Sequence, residues 1–276
     1  MTTRYGVHPD HFKTFTTDQT RDEFLAQNMM QEGKIELIYS HYDRFIFGGC
    51  VPAASAIELP NDDDLRADYF LERRELGVLN LGGNGTITVD GTKYQINRFD
   101  CLYVGRGSKS VSFASDDAGK PAHFYLNSAP AHKEYPTTKA TQSEANKVVL
   151  GDDAHANNRL LYQYIHEDGI KSCQLVMGFT ELLPGNIWNT FPPHTHERRM
   201  EVYLYFDVPG EEMVMHFMGQ PTETRHIAVR NFEAVISPPW SIHSGAGTSA
   251  YRFVWGMAGE NQAFTDMDAA PLGSVR

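Results

Sequence analysis

The sequence predicts an all-β protein of two antiparallel barrel-like domains with a few short helices. Two observations lead there. From residue 77 onward, short β-branched and aromatic runs alternate with glycine turns, at a spacing of about ten residues that marks an antiparallel sandwich or barrel. The second half then repeats the plan of the first at a long offset, which means two similar domains rather than a solenoid.

The elements follow in chain order. TRDE at 20–23 has the T-x-x-E form of a capping box and precedes FLAQNMM, so a short helix is expected there. IELIYS (35–40) and RFIFGG (44–49) are apolar runs with polar or glycine boundaries and read as strands. NG at 84–85 and DG at 90–91 are turn signals, and TITV between them alternates toward two faces. ERRELGVLNL (72–81) aligns with ERRMEVYLYF (197–206), an offset of 125 (197 − 72). RFDCLYVGRGS (98–108) aligns with NFEAVISPPWS (231–241), an offset of 133 (231 − 98). Residues 130–158 are polar and rich in Pro, Ser, Thr and Asn, which reads as a linker. The expected domains are therefore 1–150 and 151–276.

Bulk properties narrow the function. The net charge of −11 and pI near 5.5 argue against a nucleic-acid or anionic-membrane binder. Local arginines still leave room for an anionic small molecule. Cys50, Cys101 and Cys173 are odd in number and form no CxxC, so neither a disulfide framework nor a cysteine metal knuckle is implied. The N-terminus has no apolar leader-like run and nothing approaches a bilayer span, so a cytoplasmic protein is expected.

The chemistry concentrates in PPHTHERRMEVYLYF, residues 192–206. His194 and His196 are two apart. On a strand they face the same way, whereas on a helix they would stand about 200° apart. Pro192 and Pro193 also disfavour a helix here. A turn through 197–199 lets Glu201 enter the next strand facing inward, on the face of Tyr203 and Tyr205. His243, after VISPPWSI, returns through a Pro-Pro turn as the fourth ligand. Three histidines and a glutamate suit Zn, Mn, Fe, Co or Ni. The zincin H-E-x-x-H is rejected because Met200 stands where its second histidine belongs. In the first repeat, the counterparts of His194 and His196 are Tyr69 and Leu71, and that of His243 lies near Ser110, so the N-terminal domain is expected to be metal-free. His216 and His226 read as ordinary strand residues.

H-x-H-x4-E followed by P-x-x-x-H in a β-barrel resembles the split metal pattern of the cupins. FLERRELGV (70–78), NTFPPHTHERRMEVY (189–203), MGQPTETRHI (218–227), AVISPPWSIHSG (234–245) and WGMAGENQ (255–262) resemble, more closely, the 4-deoxy-L-threo-5-hexosulose-uronate ketol-isomerases. The resemblance covers nearly the whole chain. It implies a bicupin of two jelly-roll domains, the first lacking metal ligands. It implies one Zn2+ per subunit on His194, His196, Glu201 and His243, a uronate substrate and a homo-oligomer, a hexamer. It implies conversion of a 4-deoxy-5-ketouronate to 3-deoxy-2,5-hexodiulosonate in pectin breakdown. That reaction moves a proton between adjacent carbons through an enediolate. Glu197, Glu260 and Tyr203 are candidates for the proton carrier, and Arg199, Arg225 and Arg252 for the carboxylate partner. The site chemistry alone also admits an iron-dependent dioxygenase or a sugar-binding cupin without turnover.

Overall fold

The computed structural model describes residues Met1–Arg276. It is an all-β structure in two compact units, each made of a seven-stranded and a four-stranded sheet. The first unit holds Met1–Arg4, Met29–Ala145 and Tyr164–Met177. The second holds Tyr5–Asn28, Asn146–Gln163 and Gly178–Arg276. The simple division at residue 150 is therefore replaced by an interleaved one, in which each half of the chain lends a segment to the other unit. No helix is long and apolar enough to cross a membrane.

In the first unit the large sheet runs in the order Thr2–Arg4, Lys34–Ser40, Ile46–Val51, Phe124–Pro130, Arg74–Asn80, Cys101–Val104, Thr138–Ala140. In the second unit it runs Asn146–Leu150, Arg159–Ile165, Val176–Leu182, Arg252–Gly259, Arg199–Phe206, Glu233–Ser237, Leu25–Ala26. Position by position, Arg74–Asn80 and Arg199–Phe206 occupy the same place, as the alignment of the two ERR segments requires. In the first unit Leu76, Val78, Leu102 and Leu126 of the large sheet share one apolar cluster with Ile87, Val89 and Phe113 of the small sheet. The small sheet shows why: Ile87 and Val89 are buried, while Thr86 and Thr88 between them are half-buried. Asp90 and Gly91, with φ of 48° and 84°, close the turn between Gly85–Val89 and Thr92–Ile96. Two successive left-handed residues match the twist of a hairpin, and DG supplies them at low cost.

Two local expectations differ. The N-terminal helix is Thr17–Phe24, capped by Thr16 and Gln19 rather than by Thr20 and Glu23. Thr20 instead turns its hydroxyl back to the Thr16 carbonyl at 2.9 Å, so it serves as a helical residue and not as a cap. The stretch after Phe24 becomes the strand Leu25–Ala26 against Ala234 and Val235. The segment 130–158 is also more than a linker, since it contains the strands Thr138–Ala140 and Asn146–Leu150. Its polar side chains sit on edge strands, where one face is solvated.

One close approach in the second unit supports the site. A Cβ on Gly178 would lie 2.2 Å from the Tyr162 carbonyl oxygen and 2.3 Å from the Trp255 ring. Neither a backbone oxygen nor a buried indole yields easily. Gly178→Ala is expected to lower stability by about 1–3 kcal/mol, as overpacking does. A lower urea midpoint at unchanged m-value would show this, and an unchanged midpoint would refute it.

Candidate metal centre

The histidine pair is placed by backbone pairing. His194–Thr195 pairs with Asp268–Ala269, and the His196 amide donates to the Pro239 carbonyl at 3.2 Å. The chain then turns, with Arg199 N donating to His196 O, and enters the strand Arg199–Phe206. Glu201 lies in that strand opposite Ser237. His243 lies in Ile242–Gly247, opposite Met218. The strand–turn–strand geometry expected from Pro-Pro is present: Glu233–Ser237, a turn, then Ile242–Gly247.

Four ligand atoms converge. His194 Nε2 lies 3.0 Å from His196 Nε2 and 3.0 Å from His243 Nε2. Glu201 Oε2 lies 3.3 Å from His196 Nε2 and 3.0 Å from His243 Nε2. His196, Glu201 and His243 are 3%, 4% and 1% exposed, and His194 is half-buried.

The donor set fits a cation. His196 Nδ1 lies 2.7 Å from the Asp266 carbonyl oxygen. A carbonyl only accepts, so Nδ1 carries the proton and Nε2 presents a bare lone pair. That lone pair faces a carboxylate oxygen, and two acceptors do not bond. Burial, and then the neighbouring His243 and His196, push the His194 pKa down to about 2. Burial likewise lowers His196. Burial alone would raise the Glu201 carboxyl, but the His243 and His196 rings outweigh it and hold the pKa below the usual range. His194 and His196 are thus neutral and the glutamate ionised, which is the ligand form of each. Separations of 3.0–3.3 Å between these donor atoms are short enough for them to share one cation held at ~2.0–2.2 Å. His194, His196 and His243 can hold a metal ion, and a Glu201 carboxylate oxygen lies within 3.0–3.3 Å of two of them.

The group opens on a cavity of about 290 Å³. Arg159, Thr190, Arg199, Tyr203 and Trp255 line it with His194, His196 and Glu201. Of the three candidate proton carriers, only Tyr203 is there. Its hydroxyl is 2.9 Å from Thr190 Oγ1, and burial, then Glu201, raise its pKa well above the usual value. It is a donor at neutral pH, not a base. Glu197 and Glu260 are exposed and outside the lining, because Glu197 lies in the turn and Glu260 just beyond the end of Arg252–Gly259.

The arginines sort similarly. Arg225 pairs with Glu223 and donates to the Lys13 carbonyl. Arg252 pairs with Asp207 and Glu181. Neither lines the cavity. Arg199 does, but it donates to the carbonyls of Ala263, Phe264 and Asp266 and so holds that loop. Arg159 was missed. It opens the strand Arg159–Ile165, whose RLLYQYI pattern was legible, but it directly follows the segment read as a linker.

The chain matches the KduI/IolB family model over residues 24–272. It belongs to the KduI/IolB family. It is 56% identical over 276 residues, all of both chains, to the 4-deoxy-L-threo-5-hexosulose-uronate ketol-isomerase of Shouchella clausii. It is 52% identical over 278 residues to the enzyme of that name in Escherichia coli O157:H7, again over all of both chains. Among solved structures, an IolB-like protein from Salmonella typhimurium shares the fold with a TM-score of 0.74 at 16% identity, over 90% of this chain and 96% of that one. Oxalate decarboxylase of Bacillus subtilis follows with a TM-score of 0.55 at 10% identity, over 80% and 70%.

The loop 261–268 is latched to the histidine turn by Arg198, whose Nε meets both Asp266 carboxylate oxygens at 2.7 and 2.9 Å and whose Nη2 meets Asp268 at 2.7 Å. Asp266→Ala removes the latch and frees the carbonyl that orients His196. Metal affinity is expected to fall roughly 10- to 100-fold. Competition with a chromophoric chelator measures it; unchanged affinity would show that the loop orients nothing.

Proposed function

We propose that this protein is a 4-deoxy-L-threo-5-hexosulose-uronate ketol-isomerase that holds Zn2+ on His194, His196, Glu201 and His243. The convergence of those four ligand atoms at the cavity carries the reading, and the full-length relatives supply the substrate class. Zinc is favoured by the nitrogen-rich donor set of three imidazoles and one carboxylate.

The reaction moves a carbonyl to the neighbouring carbon. A proton leaves the hydroxyl-bearing carbon, an enediolate forms, and a proton arrives next door. A bound divalent ion supplies Lewis-acid stabilisation of the negative charge that develops on the substrate oxygens. The Tyr203 hydroxyl, kept protonated by burial, donates a hydrogen bond to a substrate oxygen and stabilises the same charge. Trp255, Phe253 and Phe264 form apolar cavity wall that limits water. Arg159 holds the distant carboxylate. Only one hydrogen bond commits it, Nη1 to the Asn157 carbonyl at 2.7 Å. Burial lowers its pKa, so an anionic partner relieves a desolvated charge.

Two experiments test this. Incubation with the ketouronate in deuterated water, followed by NMR, should give the 2,5-diketo acid with deuterium at the newly protonated carbon. No product would end the isomerase reading, and product formed only with oxygen consumption would favour an oxygenase. Arg159→Ala should raise KM by roughly 10- to 150-fold, the loss of a charge-assisted hydrogen bond worth about 1.5–3 kcal/mol, with kcat changed less. An unaltered KM would exclude Arg159 as the anchor.

A further inference from the structure

A second cavity, of about 250 Å³, lies in the first unit, remote in sequence from every metal ligand. Three arginines line it: Arg44, Arg73 and Arg74. Asp64 is the one carboxylate in the lining, so the local charge is 3 − 1 = +2 on a chain whose net charge is −11. Three arginines elsewhere find acids: Arg198 takes Asp266 and Asp268, Arg252 takes Asp207 and Glu181, and Arg225 takes Glu223.

Arg74 differs from these three. It is 6% exposed, yet its hydrogen bonds all go to neutral oxygens. Nε donates to Ser128 Oγ at 3.1 Å, and Nη2 to the carbonyls of Arg44 at 2.6 Å and Ser128 at 2.9 Å. Burial pushes its pKa down to about 10, and Arg44 adds to that, so it stays charged at neutral pH. A buried guanidinium without a carboxylate is costly unless an anion joins it. Arg73 spends Nη2 on the carbonyls of Leu65 and Arg66, which fixes the guanidinium at the cavity rim. Arg44 is exposed and adds a third charge. Tyr39, Phe70 and Pro130 also line the cavity and supply apolar surface fit for a carbon skeleton. The ring of Tyr39 lies 5.9 Å from the Arg74 guanidinium carbon.

We propose that this cavity is a binding site for a small organic acid, with Arg44, Arg73 and Arg74 taking its carboxylate and the Tyr39–Phe70 wall its carbon skeleton. The site lies in the unit that the metal does not use, and it stands independently of the isomerase reading. Two arginines and a planar carboxylate give bidentate recognition. The apolar wall favours an organic acid over a bare inorganic anion.

Calorimetric titration with galacturonate tests it in the full-length His196→Ala, Arg159→Ala protein, in which the second-unit cavity has lost its metal and its anchor. Saturable binding is expected, and neutral galactose should give none. Arg44→Ala and Arg73→Ala in that background should each weaken binding by about tenfold; both side chains are exposed, so folding is not at stake. Circular dichroism confirms the fold of each variant. Absence of saturable binding, or affinity untouched by both substitutions, overturns the site. Inorganic phosphate binding as tightly as galacturonate overturns its assignment to an organic acid.

Discussion

The hydrogen bond from His196 Nδ1 to the Asp266 carbonyl, 2.7 Å long, decides the character of everything around it. It consumes the one proton of a neutral imidazole and turns Nε2 into a lone pair. That lone pair points at His194 Nε2 and Glu201 Oε2. The ionised Glu201 carboxylate is itself an acceptor and gives the lone pair no proton. Buried acceptors without donors repel one another and have lost their water. A divalent cation satisfies them all at once. The site is therefore organised for metal by its second layer as much as by its ligands.

That layer explains the density of polar contacts on the loop 261–268. Arg198 binds Asp266 and Asp268 from outside. Arg199 binds three carbonyls of the same loop from inside. Arg198, in the turn, and Arg199, at the start of the strand, thus both tie down the same loop. The Arg198 hydrogen bonds, then that of Asn261, hold the Asp266 carboxyl down at about 2, so the outer latch stays ionised at any ordinary pH. Rigid placement of one backbone oxygen is the result, and it fixes the imidazole.

Much of this was legible in the sequence. The i, i+2 histidines, the turn before Glu201 and the Pro-Pro return to His243 follow from strand periodicity and turn chemistry. The repeat located matching strands in both sheets. What was not legible came from distance or from backbone. The Asp266 carbonyl is an atom every residue possesses, so no residue type announces it. Arg159 and Leu150, which both line the cavity, fall in or beside a segment whose polar composition suggested a linker. Edge strands carry that composition because only one face is covered. Glu197 and Glu260 had proximity in sequence, but one lies in a turn and the other past a strand end, and both are exposed. The N-terminal capping box lies four residues earlier than TRDE, at Thr16–Gln19, where Gln19 takes the role expected of Glu23.

The two repeats carry a common frame to opposite ends. Each buries a glutamate near the start of equivalent strands, Glu75 and Glu201, one residue out of step in the alignment. Glu75 is wholly buried and meets only donors: the amides of Cys173, Gln174 and Leu175 at 2.7–2.8 Å, and the Tyr103 hydroxyl at 2.8 Å. Its charge is spread over four hydrogen bonds, and it fastens the segment 173–175 within its unit. Glu201 meets imidazole nitrogens, at least one of which has no proton to give. At the aligned position of Glu201 the first repeat has Leu76, which joins the apolar core. A buried carboxylate is thus a structural staple where donors surround it, and is free to meet a cation where an unprotonated imidazole nitrogen faces it. The one-residue shift along a strand, which reverses the face a side chain occupies, separates the two outcomes.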